Sequence, residues 1–281
     1  MTDPHVLLTN DDGIDSPGLA ALYEELRAVA DVTVVAPATN QSGVGRSRSR
    51  AVDVDDHEWG YEVHGTPADC AAYALRALEA EFDLVVSGCN LGPNCGEYLM
   101  GHSGTVGAAV EAAYLGTPGV AVSAYHRREF FPPNGFTFDV PAAVTRELVE
   151  RLPESGVFDD VDYLSVNTPL EEHGELRAVE PLADYDVDVR EATDDEREQY
   201  DGEFRLESDY WDRLDQPDRY PTLERTAYSY PAWSDRAAVV DGDVSLSAMH
   251  IPQEAVHSAA VDDLVATYNA EVSVGVPAAD D

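Results

Sequence analysis

Asn10, Asp11, Asp12 and Gly13 follow the short apolar run His5-Val6-Leu7-Leu8, with only Thr9 between. Two adjacent carboxylates beside an amide make an oxygen-rich donor set. Mg²⁺ and Mn²⁺ prefer carboxylate, amide and hydroxyl oxygens, so binding of a hard divalent cation is one reading. Asn, Asp and Gly are also turn formers, and the tetrapeptide alone describes a solvated turn equally well. Three further polar segments follow. They are Asn40-Gln41-Ser42-Gly43, Ser87-Gly88-Cys89-Asn90, and Pro93-Asn94 with His102-Ser103-Gly104-Thr105. Gathered around Asp11 and Asp12, they would supply hydroxyl and amide oxygens. The last of them would add a helix N-terminus, whose free N–H groups attract phosphate.

An open α/β sheet gathers such loops, because ligands bind beyond the carboxyl ends of its strands. The apolar patterning predicts that arrangement. Val6–Leu8, Val32–Val35, Leu84–Val86 and Gly119–Ser123 read as buried strands, and a further strand is expected near Tyr163–Val166. Between them, Pro17–Ala30 is amphipathic, with Ser16 as N-cap and Pro17 at the first helical position. Thr66-Pro67-Ala68-Asp69 opens a second helix, Ser103 or Gly104 to Leu115 forms a third, and a fourth lies near Ala142–Arg151. The succession predicts an α/β fold with a doubly wound, mostly parallel Rossmann-like sheet. From Asp184 to Asp235 the pattern dissolves into acids, Tyr and Pro, where hairpins and long loops are expected. Val244–Leu246 reads as a strand and Ala255–Tyr268 as a late helix, with frayed residues from Pro277 to Asp281. The expectation is one domain over 1–281. Residues 1–170 form its catalytic core; 171–281 form a C-terminal β-hairpin, loop and helix elaboration suited to oligomer contacts.

Hydrophobic residues make up 44% of the 281, enough for a packed core. No apolar run approaches the ~20 residues that cross a bilayer, and the N-terminus lacks a secretory pattern. The expectation is a soluble cytoplasmic protein without membrane contact. The net charge is −38, from 55 acidic residues against 17 arginines, with no lysine. This excess argues against binding a nucleic acid duplex through a basic face, and it resembles adaptation to a salt-rich cytoplasm. Cys70, Cys89 and Cys95 have no zinc spacing and read as reduced packing residues.

The motifs together resemble the SurE (survival protein E) family of metal-dependent 5′/3′-nucleotidases. The resemblance rests on Leu8-Thr9-Asn10-Asp11-Asp12-Gly13-Ile14-Asp15-Ser16-Pro17-Gly18, on Val35-Ala36-Pro37 with Asn40-Gln41-Ser42-Gly43, and on Gly65-Thr66-Pro67-Ala68-Asp69-Cys70. It continues in Ser87-Gly88-Cys89-Asn90-Leu91-Gly92-Pro93-Asn94 and Ser103-Gly104-Thr105-Val106-Gly107-Ala108-Ala109, in the family's order. Residues 234–246 match more loosely. The resemblance implies that Asp11, Asp12, Ser42 and Asn90 hold one divalent cation per subunit, Mg²⁺ or Mn²⁺. It implies that Asn94, Ser103, Gly104 and Thr105 receive the phosphate. Asp11, Asp12, Asn90 and Ser103 would carry catalysis. The implied reaction is hydrolysis of nucleoside 5′-monophosphates, and optionally 3′-monophosphates, by a metal-activated water. The implied assembly is a homodimer or homotetramer.

Phosphate-monoester hydrolysis is extremely slow uncatalysed, so the site must stabilise concentrated negative charge. Neutral Ser42 and Asn90 beside two carboxylates would leave a cation with positive character for that task. His102, just before the phosphate loop, is read either as a proton donor to the leaving oxygen or as a structural residue. Arg46, Arg48 and Arg50 are read either as substrate contacts or as a solvated basic stretch, and Glu111 as structural. A broader acid-type phosphomonoesterase and a non-catalytic nucleotide or phosphate sensor are the alternatives. An aspartyl-phosphate mechanism fits poorly, because it wants a second Asp two residues after the first. A dinucleotide oxidoreductase lacks its Gly-x-Gly-x-x-Gly loop after strand one.

Overall fold

The structure, a computed structural model, describes residues 3–127, 135–183, 187–208, 230–251 and 258–271. Two compact units divide the chain, Met1–Ile251 and Pro252–Asp281. The first unit opens with β1 (His5–Thr9), α1 (Pro17–Leu26), β2 (Asp31–Pro37), β3 (Val54–His57), β4 (Gly60–Val63) and α2 (Pro67–Ala77). β5 (Leu84–Leu91), α3 (Glu97–His102), α4 (Gly104–Tyr114), β6 (Gly119–Tyr125), α5 (Asp139–Ser155) and β7 (Tyr163–Pro169) follow. The remainder comprises β8 (Leu176–Ala178), β9 (Val187–Glu191), α6 (Asp194–Tyr200), β10 (Phe204–Ser208), α7 (Asp235–Asp241) and β11 (Val244–Met249). The second unit contains α8 (Ala259–Glu271).

Nine strands form one sheet in the order β3-β4-β2-β1-β5-β6-β7-β11-β8. The run from β4 to β7 is parallel, while β3 and β11 pair antiparallel to β4 and β7. Alternation along the strands sorts the core into two layers. Val6, Leu8, Val34, Ala36 and Val86 pack with α1 and α5, while Leu7, Val35, Val63 and Val85 pack with α2 and α4. The chain passes from β1 to β2 on one side of the sheet, and β5 later joins β1 on the other. The order therefore reverses at β1 and β5, which opens a crevice beyond their carboxyl ends. Both Asp11-Asp12 and Asn90 lie there.

The expected caps form. Ser16 Oγ accepts from the Leu19 N–H, with Pro17 at the helix start. Thr66 and Asp69 close a reciprocal capping box on α2, with Asp69 Oδ2 2.9 Å from the Thr66 nitrogen. α1 stops at Leu26 instead of Ala30, because Ala28 and Val29 bond to carbonyls three residues back and tighten the last turn. β5 runs past Val86 to Leu91, with a register shift against β6 between Ser87 and Asn90. The shift is possible because Gly88 takes φ 145° with its backbone against the Val122 carbonyl, where a Cβ would collide. It carries Asn90 to the sheet edge. β3, β4, α3 and α7 are short elements that apolar periodicity does not reveal.

In the irregular stretch, β9 and β10 form a separate antiparallel ribbon with α6 between them. Residues 184–186 and 209–229 of that stretch, residues 255–257 of the late helix, and Pro277–Asp281 lie outside the described residues. Cys70, Cys89 and Cys95 are free and buried, as packing residues should be.

Candidate metal and phosphate site

β1 ends in a turn held by its own first residue. Asn10 is fully buried, and its Nδ2 donates to Gly13 O at 2.9 Å and Ser16 Oγ at 2.7 Å. The next two side chains then go to different partners. Asp11 turns to the start of α4, where its carboxylate accepts from Thr105 Oγ1 at 2.5 Å and from the backbone N–H groups of Gly104 and Thr105. Asp12 turns to the loops after β2 and β5, accepting from Asn40 Nδ2 at 3.1 Å and from the Leu91 N–H.

Burial raises the pKa of Asp11, and the hydrogen bonds from Thr105 and Gly104 only partly oppose it. Burial first, then the neighbouring Asp11 charge, push Asp12 up to about 6. Two carboxylates thus sit where neither charge is comfortable, and a cation between them would reverse both effects. Asn90 uses its Nδ2 on Gly92 O at 2.6 Å, which leaves its amide oxygen as a donor to a metal. The Ser42 loop is tied in by Asn40, whose Oδ1 accepts from the Ser42 N–H at 2.9 Å while its Nδ2 holds Asp12. Gln41 N–H also donates to Asp11 O at 2.6 Å. The expected donor set is entirely oxygen, and these residues fit a hard divalent cation. Ser42 itself is exposed.

The phosphate-side residues are braced from far along the chain. Asn94 donates its backbone N–H to Asn167 Oδ1 at 2.7 Å and its Nδ2 to Ser123 Oγ at 2.8 Å. Asn167 is held in turn by Ser245 Oγ at 3.1 Å. The buried Asp235 carboxylate accepts from the N–H groups of Gly96, at 2.6 Å, and Leu182, at 3.2 Å. Ser103 Oγ caps α4 by accepting from the Val106 N–H at 3.1 Å. Gly45 N–H donates to His102 O at 3.0 Å and so ties the Ser42 loop to the phosphate loop. Ser123 and Asn167 escaped the reading of the sequence as site residues, and Asp235 entered it only within the loosely matching residues 234–246. They lie 29, 73 and 139 residues from their partners, and nothing local ties them to Asn94 or Gly96.

Several side residues are engaged elsewhere. His102 is exposed, with Nδ1 2.9 Å from Tyr98 O and its ring 4.4 Å from that of Tyr98. Arg46 lies over the Tyr114 ring at 4.5 Å. Arg48 pairs with Glu111 at 2.6 Å and Asp69 at 3.4 Å, joining the Ser42 loop to α4 and α2. Glu111 is therefore structural, as expected. Among the described residues, Asp55, Glu62 and His64 form another group with metal-ligand chemistry, on β3 and at the end of β4. It lies apart from the Asp11-Asp12 turn and already forms an ion pair, His64 Nε2 to Asp55 Oδ2 at 2.9 Å.

Comparison with known proteins identifies the family. The family model described as survival protein SurE matches residues 6–186. A 5′-nucleotidase SurE of Natronomonas pharaonis is 45% identical over 256 residues, covering 88% of this chain and 93% of the relative. One from Halobacterium salinarum is 43% identical over 271 residues, covering 95% and 98%. The crystal structure of the SurE protein from Aquifex aeolicus superposes with a TM-score of 0.71 at 30% identity, covering 96% of this chain and all of that one. The family match over most of the chain, the identities with near-complete coverage and the shared fold lead to one conclusion: the chain belongs to the SurE family.

Proposed function

We propose that this chain hydrolyses nucleoside 5′-monophosphates to nucleoside and phosphate, with one Mg²⁺ or Mn²⁺ held by Asp11, Asp12, Ser42 and Asn90. The observation that carries the reading is the adjacent carboxylate pair at the crevice between β1 and β5, with Asp11 buried against the start of α4 and Asp12 half-buried beside it. Relatives named 5′-nucleotidase SurE support the substrate class. When bound, the cation supplies Lewis-acid polarisation of the phosphoryl group and makes water more acidic. The chain supplies the rest. Thr105 orients Asp11, and the Ser103 hydroxyl, at the start of α4, binds a phosphoryl oxygen. Asn94, fixed by Ser123 and Asn167, meets the phosphate already ordered.

The test is phosphate release from 5′- and 3′-mononucleotides with Mg²⁺ or Mn²⁺, repeated in excess chelator. Release should fall at least about a hundredfold on chelation, given the several kcal/mol a metal contributes. A folded, metal-binding protein that releases nothing would be a sensor. The assay belongs in concentrated salt, because we place the protein in a salt-rich cytoplasm. Its charge of −38 without lysine needs screening to stay compact. Among the described residues no helix is long and apolar enough to cross a membrane.

We also assign 171–281 to self-assembly into a homodimer or homotetramer. Val189, Leu206 and Phe204 on the β9–β10 ribbon are 60%, 63% and 57% exposed, and Val189 and Leu206 are direct cross-strand partners. A two-stranded ribbon is marginal alone and gains from burial of such a face. On α8, Val261, Leu264, Val265 and Tyr268 recur at helical spacing, each more than half exposed. Light scattering in concentrated salt should give twice or four times the 30.5 kDa chain mass. A monomer would overturn the assignment.

A further inference from the structure

A cleft of about 530 Å³ opens beside Asp12, on the α1 and α5 side of the sheet. That size suits a small molecule. Leu91, Phe136 and Phe138 form its apolar wall, and Asp15, Ser16 and Thr39 contribute polar groups. Asp12 is shared between the cleft and the cation site, whereas Asp11 faces α4. The two sides of the carboxylate pair therefore differ in character. One lies against the start of α4, where the Ser103 hydroxyl can donate to an anion. The other is aromatic and carries the carboxylates of Asp12 and Asp15, which repel an anion. A molecule bound across the pair would place its phosphoryl group toward α4 and a neutral, flat portion in the cleft.

We propose that this cleft is the nucleoside subsite, with the ring of Phe136 as the platform on which the base stacks. The assignment rests on the nucleotidase reading and adds the place and the side chain that recognise the leaving group. Phe136 is only half-buried, so part of its ring meets the cleft. Its orientation is held by Phe138, which is 5% exposed, lines the same wall and packs edge-on at 5.4 Å and 72°. A ring held this way loses little freedom when a base stacks on it. Stacking tolerates any base, because every base has a π-face.

The test uses the full chain and two readouts. First, binding of adenosine without phosphate is measured by calorimetry on the wild type, Phe136→Leu and Phe136→Trp. Leu keeps an apolar side chain against Phe138 but removes the stacking face; Trp restores it. Adenosine affinity should fall about tenfold in Phe136→Leu and return in Phe136→Trp. Second, turnover of adenosine 5′-monophosphate is compared with that of methyl phosphate, which has no base. Phe136→Leu should raise KM for the nucleotide about tenfold, leave its kcat, and leave methyl phosphate unchanged. Equal losses on both substrates, or unchanged adenosine affinity in Phe136→Leu, would overturn the subsite. A wild type that hydrolyses neither substrate, yet binds adenosine in a Phe136-dependent way, would overturn the nucleotidase reading and keep the subsite.

Discussion

Asp12→Asn is expected to lower metal-dependent turnover by about a thousandfold while leaving the fold intact. The amide keeps the shape of the side chain, and its one oxygen can still accept from Asn40 Nδ2. What it removes is one of two charges that would hold the cation. A loss of about 4 kcal/mol of transition-state stabilisation corresponds to that factor, within what metal chemistry supplies. A stability measurement separates this outcome from simple misfolding. Burial and the Asp11 charge raise the carboxyl of Asp12 to about 6. A folded pKa above the unfolded value means that the folded state holds its proton longer. Stability is thus lost as pH rises from the ordinary carboxylate value of 3.8 through about 6. Above that window the ionised carboxylate opposes folding. The metal-free Asn variant should therefore melt no lower than the wild type at neutral pH. Near-normal turnover with Mg²⁺ or Mn²⁺ in this variant would sink the cation assignment, whatever its melting temperature.

Gly104→Ala should cost both stability and activity, against the usual preference of helices for alanine. Propensity alone would favour the change by up to about 1 kcal/mol. Here a Cβ would lie 2.8 Å from Asp11 Cβ, 3.0 Å from its Oδ2 and 3.2 Å from Pro67 Cγ. Asp11 is also tied to Gln41 through its backbone carbonyl, so it cannot move freely. Overpacking of this kind costs about 1–3 kcal/mol, and displacing a catalytic group by about 1 Å costs on the order of a hundredfold in rate. Gly101→Ala is the control, because a Cβ there meets nothing within 4 Å. Thermal melts and kcat/KM on both variants give the comparison. If Gly104→Ala matches Gly101→Ala in both readouts, Asp11 is not held by contact with α4 as described.

Much of the site could be read along the chain because its parts are local. Ser16-Pro17 and Thr66-Pro67-Ala68-Asp69 carry their own capping chemistry, so their helix starts are written in adjacent residues. The buried parallel strands announce themselves as continuous apolar runs. The short elements do not. α3 spans six residues and begins after Gly96 at φ 80°, and the antiparallel β3–β4 edge is mostly polar. Likewise, the extension of β5 to Asn90 depends on how Gly88 meets Val122 of a neighbouring strand.

The sequence alone determined the donor chemistry: two carboxylates, amides and hydroxyls at the ends of apolar segments, in an order shared by one family. Residue type sets which atoms can be ligands, and apolar period sets which segments become strands. Only the tertiary structure decided which way each donor faces. It turned Asp11 to Thr105, gave Asp12 to Asn40, and used Arg46 and Arg48 to brace Tyr114, Glu111 and Asp69. It also brought Ser123, Asn167 and Asp235 to the loop that carries Asn94. These pairings join strands and loops distant in sequence. Side-chain direction there follows from sheet register and packing, which no local stretch of residues encodes.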